Sequence, residues 1–419
     1  MSAFHEPPLP RVEPEPVDAS IPVPVPANAA SLQFLDRPGL PQLLVRNLLF
    51  GALTLGFYRF WAKTNLRRFL WASVVIDGEP LEYTGRAREL LIGFLIVMAI
   101  FVPLSVGYSA LQTMLLDTPA AGIILSIVYA VGLYLLINAA IWRARRYRLL
   151  RTLWRGIRAG QDGSTWIYMG KAALWLLLVP LSLGLALPWA LADLARYRIE
   201  HTLWGQFRGR FTGTGRGLLG PWLLVMALSV LPFVACLAGV AVNFDWGALP
   251  EANPRQIEAA AASAGRWLTV TAILAVVGAP FLYAWFTVRW QRWYLGHTEI
   301  GPLHFSSRLR ARSLIWRGIL LLTLPPVFLA VMIALGFTAA MAAHSHMFIV
   351  IPVVFVFLLI GWGGFRLLGM LVFYVPVLRR VIEAITVENL AAAGGAQQSQ
   401  QPDVRFGEGL ADSFEIGIV

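Results

Sequence analysis

Arg143, Arg145, Arg146, Arg148, Arg151, Arg155 and Arg158 crowd one short stretch that also holds Trp142 and Trp154. Guanidinium groups at that density recognise oxyanions, because each carries a permanent charge and a planar fork of N–H donors. Lipid phosphate, nucleic-acid phosphate and a small anionic solute all fit that chemistry. The tryptophans favour lipid: an amphipathic ring belongs at a membrane–water boundary, where arginine snorkels to anionic headgroups. Nucleic acid is excluded as a partner, because these arginines adjoin apolar runs. Other chemistry finds little support. His201 and His297 stand beside Thr202 and Thr298 and read as structural. His344-Ser-His346 lacks a third ligand for a metal. Gly209, Gly213, Gly215 and Gly217 around Arg210 and Arg216 lack the Lys-Ser/Thr that completes a phosphate loop. A single cysteine, Cys236, excludes a disulfide framework and multi-cysteine metal sites. The sequence holds no nucleophile-elbow or zinc-protease motif. The expectation is a protein that is not an enzyme, with no cofactor and no metal.

The elements that position these residues are set by composition. Of 419 residues, 58% are hydrophobic and only 14% charged, too few to cover the surface of a soluble domain. Runs at 89–110, 119–141, 218–240, 267–288, 316–340 and 347–374 each reach the ~20 residues that cross a bilayer as helix. Two further runs, 40–61 and 172–193, are interrupted: the first by Arg46, Asn47 and Arg59, the second by Pro180 and Pro188. Residues 1–31 form a proline-rich acidic tail, disordered and without the features of a signal peptide. Residues 391–419 read as a polar C-terminal tail.

Between the tails, residues 32–390 read as one membrane domain containing an internal repeat. Arg146-Tyr-Arg148, Thr152-Leu-Trp154 and Arg158 match Arg196-Tyr-Arg198, Thr202-Leu-Trp204 and Arg208 at a constant offset of 50. The frame extends to five modules, at about 54–88, 134–171, 182–216, 278–312 and 366–390. An Arg is followed six residues later by Thr in Arg146/Thr152, Arg196/Thr202, Arg292/Thr298 and Arg380/Thr386, whereas Arg68 meets Val74. Seven residues before the Arg stands Trp61, Trp189, Trp285 or Phe373, with Ala139 in the second copy. An aromatic-x-small step follows: Tyr83-Thr-Gly85, Tyr168-Met-Gly170, Phe211-Thr-Gly213 and Phe305-Ser-Ser307. Val74 to Tyr83 alternates around Asp77-Gly78 and predicts a short β-hairpin.

Charge placement sets the topology. If all eight apolar runs crossed, modules would alternate between the two faces, against the positive-inside rule. If 40–61 and 172–193 enter and return on one side, all five modules share the cytoplasmic face with both termini. The outer loops then hold only Arg255 and Arg266 of the basic residues. Thr54-Leu-Gly56 and Ser182-Leu-Gly184 supply the bend. The expected fold is therefore an all-α polytopic membrane protein with about six transmembrane helices, two re-entrant or interfacial helices and short cytosolic β-hairpins.

Thr54-Leu-Gly-Phe-Tyr-Arg-Phe-Trp-Ala-Lys63, Arg67-Arg-Phe69, Ile76-Asp-Gly78 and Leu81-Glu-Tyr-Thr-Gly85 resemble the YjgN-like family, a domain of unknown function. The resemblance covers most of 32–390. It departs at Ser73-Val74, where a Thr is usual, and in the second copy, which lacks its Trp. It implies a multi-pass protein of the bacterial inner membrane and brings no reaction, substrate or catalytic residue.

The residues expected at the lipid headgroups or interface are Arg67, Arg68, Arg143, Arg145, Arg146, Arg148, Arg151, Arg196, Arg198 and Arg292, with Trp61, Trp154, Trp189, Trp204 and Trp285. Ionisable groups within spans would mark a transport path, but few polar residues stand there. Asn138 is read as a helix–helix hydrogen bond, Asp193 ends a run, and Asn243 borders a loop. The leading expectation is a non-catalytic membrane protein whose basic cytoplasmic face contacts anionic lipid. The alternative is a transporter or channel for a small, possibly anionic, solute.

Overall fold

A computed structural model describes residues 29–243, 254–312 and 363–398, with isolated positions between 314 and 361. Residues 1–28 of the N-terminal tail, most of 316–340 and 347–374, His344, His346 and the chain beyond 398 lie outside the described residues.

The helices come in antiparallel hairpins. Two are long: α3 (Ala87–Met114) with α4 (Pro119–Leu150), and α7 (Arg216–Asn243) with α8 (Pro254–Gly296). These are the four described helices long and apolar enough to cross a membrane. Two are short: α1 (Leu40–Leu53) with α2 (Arg59–Ser73), and α5 (Thr165–Leu181) with α6 (Leu187–Glu200). At 14 residues, α1 measures about 21 Å, less than the hydrocarbon thickness. A final helix, α9 (Val375–Glu383), follows a π-helical stretch at Gly369–Tyr374.

Both short hairpins reverse by the same device. Leu55 and Gly56 take φ of 50° and 89°, and Leu183 and Gly184 take 51° and 87°. The glycine N–H then closes the preceding helix, Gly56 onto Gly51 O and Gly184 onto Val179 O, both 2.8 Å, which is the Schellman geometry. The hydroxyl opens the next helix: Thr54 Oγ1 accepts from Tyr58 N–H and Ser182 Oγ from Ala186 N–H, each 2.9 Å. The tips are apolar and bare, with Leu55 91% and Leu183 84% exposed.

The strands correct the all-α expectation. The chain makes β1 (Ala29–Ser31), β2 (Gln33–Phe34), β3 (Val74–Ile76), β4 (Glu79–Pro80), β5 (Glu82–Tyr83), β6 (Thr152–Trp154), β7 (Ile157–Gln161), β8 (Thr202–Trp204), β9 (Phe207–Phe211), β10 (Thr298–Ile300), β11 (Leu303–Ser307) and β12 (Ile385–Glu388). Asp77-Gly78, with φ of 52° and 77°, makes the expected β3–β4 turn. Nine strands join in one antiparallel sheet, β1-β12-β11-β10-β9-β8-β7-β6-β5, and β2-β3-β4 form a second. Single residues separate β1 from β2 and β4 from β5, and both continue the bonding: Leu32 N–H donates to Ile385 O (3.1 Å) and Leu81 N–H to Val74 O (2.9 Å). Hydrogen bonds therefore run in a closed circuit, a small barrel with β1–β2 and β4–β5 as bent staves. Closure removes the sheet edges that isolated hairpins would expose. Tail residues 29–31 belong to that circuit.

One bond recurs at every junction of the ring. Leu35 N–H donates to Ser73 O, Thr84 to Arg151 O, Asp162 to His201 O, Thr212 to His297 O and Arg308 to Ala384 O, at 2.8–3.1 Å. The flanking register pairs Phe34 with Val74, Tyr83 with Thr152, Gln161 with Thr202, Phe211 with Thr298 and Ser307 with Ile385. Three details of the sequence frame change accordingly. Gln161 holds the strand-end place assigned to Tyr168, which lies on α5. Ser307, not Phe305, holds it in the fourth copy. In the fifth copy Ile385 rather than Thr386 occupies the Thr register, so Arg379 rather than Arg380 matches Arg68 and Arg196.

The interior of the ring is apolar. Trp154, Trp204, Leu303 and Val387 are buried together, with Ala30, Leu32, Ile76, Leu81, Ile157, Phe207, Ile300 and Phe305 packed against them. A 3-10 turn at Leu390–Gly395 adds Leu390 and Ala393 to this cluster. It is fastened at the hairpin turns: Gln206 Nε2 donates to Gly395 O (3.2 Å), and Gln397 N–H to Gln206 Oε1 (2.7 Å). Residues 390–398 thus cap the ring at the end away from the helices, so this part of the expected polar tail is structural.

Candidate functional site

The arginines that the sequence groups as one basic face are split by the structure into three sets. The first points outward from the last turn of each inner helix. Arg68, Arg196 and Arg292 are exposed, as is Arg143 one turn earlier on α4. Trp61, Trp189 and Trp285 precede the three frame arginines by seven residues, two helical turns on the same face and about 10 Å along the axis. Trp61 is 37% and Trp189 39% exposed, and Trp285 is half-buried beneath the Arg289 guanidinium at 5.3 Å. Each outward arginine with a described bond uses one donor to hold the chain leaving its hairpin: Arg68 Nη2 to Gly85 O (2.9 Å) and Arg196 Nη2 to Gly213 O (3.0 Å). In the fifth copy Arg379 does this through an ion pair with Asp36.

A second set stitches modules together. Arg145 Nη1 donates to Gln161 Oε1 (2.8 Å) and to Arg198 O (3.1 Å), and its Nη2 donates to Thr202 Oγ1 (2.8 Å). Arg151 bonds Glu89 at 2.8 Å, and Tyr147 OH donates to the other Glu89 oxygen at 2.7 Å. Arg67, 1% exposed, donates to Tyr83 OH (3.3 Å). Arg155 pairs with Asp77, Arg208 with Asp162 and Lys171 with Asp193. Trp154 and Trp204, each 7% exposed with ring centroids 5.0 Å apart, face into the ring and not toward a lipid boundary. Arg146 is half-buried on α4.

The third set, Arg148 and Arg198, is half-buried on α4 and α6. Arg198 Nε donates to Leu194 O (3.1 Å). Both lie close enough to Arg145 to act on its charge, as does Tyr294 of α8.

The threonines of the frame are helix stops. Thr152, Thr202 and Thr298 each donate their hydroxyl to the carbonyl four residues back, at 2.7–2.8 Å. In the first copy Ser73 does so, to Phe69 O (3.0 Å), so the departure at Ser73-Val74 moves the hydroxyl by one residue. His201 and His297 set Nδ1 against Tyr197 O (2.8 Å) and Trp293 O (2.7 Å). The glycines near Arg210 are places of close packing: a Cβ on Gly213 would stand 2.7 Å from the Phe211 and Trp293 rings, and one on Gly215 2.7 Å from the Trp189 ring. Among the described residues no group of three His, Cys, Asp or Glu side chains could hold a metal.

Asn138 donates to Tyr134 O of its own helix (2.9 Å), and among the described residues it has no bond to a second helix. Asp193 accepts from Lys171 (2.7 Å) and Trp175 (2.9 Å). The polar residues within the α3–α4 hairpin escaped the sequence reading. Tyr108 and Tyr129 stack at 4.1 Å, Ser105 Oγ meets Tyr129 OH and Tyr108 OH meets Ser126 Oγ, both at 3.2 Å. Gln112 donates to Ser126 (3.5 Å) beside a cavity of about 400 Å³. Their signal was available: Ser105, Tyr108 and Gln112 lie at i, i+3, i+7, and Ser126 and Tyr129 at i, i+3.

Comparison with known proteins adds a family. The family model described as "Bacterial protein of unknown function (DUF898)" matches residues 39–413. No curated protein matches, and no solved structure matches.

Proposed function

Since the chain belongs to this family of bacterial proteins of unknown function, which is the YjgN-like family, we propose that it is a non-catalytic protein of the inner membrane that holds anionic lipid around a cytoplasmic ring. The observation that carries the reading is the repeated outward stripe, a tryptophan two turns above an exposed arginine, at Trp61/Arg68, Trp189/Arg196 and Trp285/Arg292. A ring side chain and a cation about 10 Å apart along a helix match the depths of the interfacial belt and the headgroup phosphates.

The closed circuit of strands supports a single side for all five modules, because hydrogen-bonded neighbours cannot sit across a bilayer from one another. Every helical hairpin then starts and ends at the ring. Long hairpins cross twice. The short hairpins, with bare leucines at their tips, dip in and return. The stretches 316–340 and 347–374 bring the crossings to six. Both termini lie in the cytoplasm, since β1 and the cap at 390–398 belong to the ring.

The test is thermal melting of the full chain in nanodiscs of phosphatidylglycerol or phosphatidylcholine. The anionic lipid should stabilise the protein, and the combined Arg68→Gln, Arg196→Gln and Arg292→Gln variant should lose most of that difference, at about 1 kcal/mol per arginine. An undiminished difference in the triple variant defeats the reading. Transport of a small anionic solute is the second reading, favoured by the polar Gln112 and Ser126 beside the cavity within the α3–α4 hairpin. Solute flux no faster than through empty vesicles counts against it.

A further inference from the structure

We propose that the two short hairpins are wedges in the cytoplasmic leaflet alone, so that the protein collects on lipid surfaces that are convex toward the cytoplasm. This rests on the one-sided ring proposed above.

Two contacts fix how deep the hairpins reach. Trp222 Nε1 of α7 donates to Gly184 O at the tip of the α5–α6 hairpin (2.8 Å), and a Cβ on Gly184 would stand 3.7 Å from Met226 Cε. Trp222 and Met226 lie six and ten residues past Arg216, which is exposed at the start of α7, or about 9 and 15 Å along the axis. The α1–α2 hairpin is held at a matching level by α3. The Arg59 guanidinium, one turn from the Leu55-Gly56 reversal, stacks over the Phe94 ring at 4.2 Å. Phe94 lies six residues past Arg88, exposed in the first turn of α3, again about 9 Å. From Arg88 to Met114, α3 measures about 39 Å, close to the ~40–45 Å of a bilayer with its headgroups. Both tips therefore stop about a quarter to a third of the way across, past the headgroups and short of the midplane.

At that depth the tips displace acyl chains. Leu53 and Leu55, and at the same places in the second hairpin Leu181 and Leu183, are 78–91% exposed. Each helix occupies a circle about 10 Å across in the leaflet it enters. Short and long hairpins alternate along the chain, α1–α2, α3–α4, α5–α6, α7–α8, so α1, α2, α5 and α6 add cross-section only on the ring side. Among the described helices, α3, α4, α7 and α8 alone are long enough to continue into the other leaflet. A body wider in one leaflet crowds that leaflet, and bending the membrane with the crowded side convex relieves the crowding. Shallow apolar insertion is sensitive to curvature for the same reason.

The experiment is sorting of the full chain between a giant phosphatidylcholine vesicle and a thin tube pulled outward from it. The neutral lipid removes the contribution of the arginine stripe. Thr212→Cys, labelled after reconstitution with an impermeant fluorescent maleimide, marks molecules whose ring faces out, and the parent chain, whose Cys236 is buried, supplies the background. Ring-outward molecules should be enriched about twofold or more on the tube. Molecules labelled before reconstitution and then quenched from outside face inward, and they should be depleted there. Leu53→Ser, Leu55→Asn, Leu181→Ser and Leu183→Asn together should abolish the sorting, because headgroups and water close over a polar tip. All four side chains are exposed, and Asn suits the φ of 50° and 51° at Leu55 and Leu183, so this variant should melt with the parent. Equal density on tube and vesicle, enrichment of both orientations alike, or sorting undiminished in a variant that melts with the parent overturns the proposal. Should the quadruple variant aggregate, the opposite behaviour of the two orientations with the leucine tips intact decides. Gly78→Cys and Thr212→Cys reacting from opposite faces would instead defeat the one-sided ring itself.

Discussion

Replacing Arg145 by Met should open the junction between the second and third modules. Arg145 makes three described hydrogen bonds, to Gln161 Oε1 at 2.8 Å, Thr202 Oγ1 at 2.8 Å and Arg198 O at 3.1 Å. A bond from a charged donor contributes about 1.5–3 kcal/mol. The three are not fully lost, because Gln161 still donates to Trp142 O (3.3 Å) and Thr202 to Arg198 O (2.7 Å). The sharpest loss is at Gln161, 4% exposed, whose Oε1 would be left dry and unbonded. A net cost of about 3 kcal/mol follows, on the order of 3 °C in melting temperature for a chain of 419 residues. The assay is a melting curve in nanodiscs, run as a cycle with Gln161→Met. Because removing both partners spares the stranded acceptor, the double variant should recover at least about 1 kcal/mol relative to the sum of the singles. A single variant melting with the parent, or a cycle with no coupling, would refute the role given to this arginine.

Other outcomes follow from the same geometry. Gly213→Ala should cost about 1–3 kcal/mol by overpacking, since its Cβ would lie 2.7 Å from two aromatic rings. Gly170→Ala, with open space around it on α5, should melt at or above the parent temperature. Leu390→Ala should lower the melting point by unfastening the cap, at about 2–3 kcal/mol for a buried leucine; an unchanged melt would show that the cap contributes nothing. Gly78→Cys and Thr212→Cys should both escape an impermeant maleimide added to intact cells and react with it in inverted membrane vesicles. Labelling from opposite sides would break the single-sided ring.

Much of this arrangement was legible because it is local. The Arg-to-Thr spacing is a helix end, where the Thr hydroxyl answers a carbonyl four residues back, and such stops leave a mark at fixed distance. Thr54-Leu-Gly56 and Ser182-Leu-Gly184 were legible as reversals because a glycine suits the positive φ that ends one helix and a hydroxyl opens the next. The frame slipped where a side chain departed from type. Gln161 holds the strand end through Arg145, a place that aromatic residues fill in the first and third copies, whereas Tyr168 lies on α5. Trp154 and Trp204 resemble interfacial tryptophans in sequence, and only the closed ring puts them inside. That closure had no local signal: β1 is Ala29-Ala-Ser31, three residues indistinguishable from a tail, and its partner begins at Ile385. The same limit hid the division of arginines into exposed, bridging and half-buried sets, since residues one to three apart on a helix differ in direction and not in chemistry.

The last seam of the barrel imposes an order of assembly. Strand β1 leaves the ribosome before every other described element, yet its hydrogen-bonding mate β12 is among the last. The opening stave must wait, unpaired on that flank, while the four described pairs of helices form. Loop closure across so many residues is slow, and an idle strand invites false neighbours. A chain cut short before Ile385 would remain an open arc with sticky margins, a natural substrate for quality-control proteolysis.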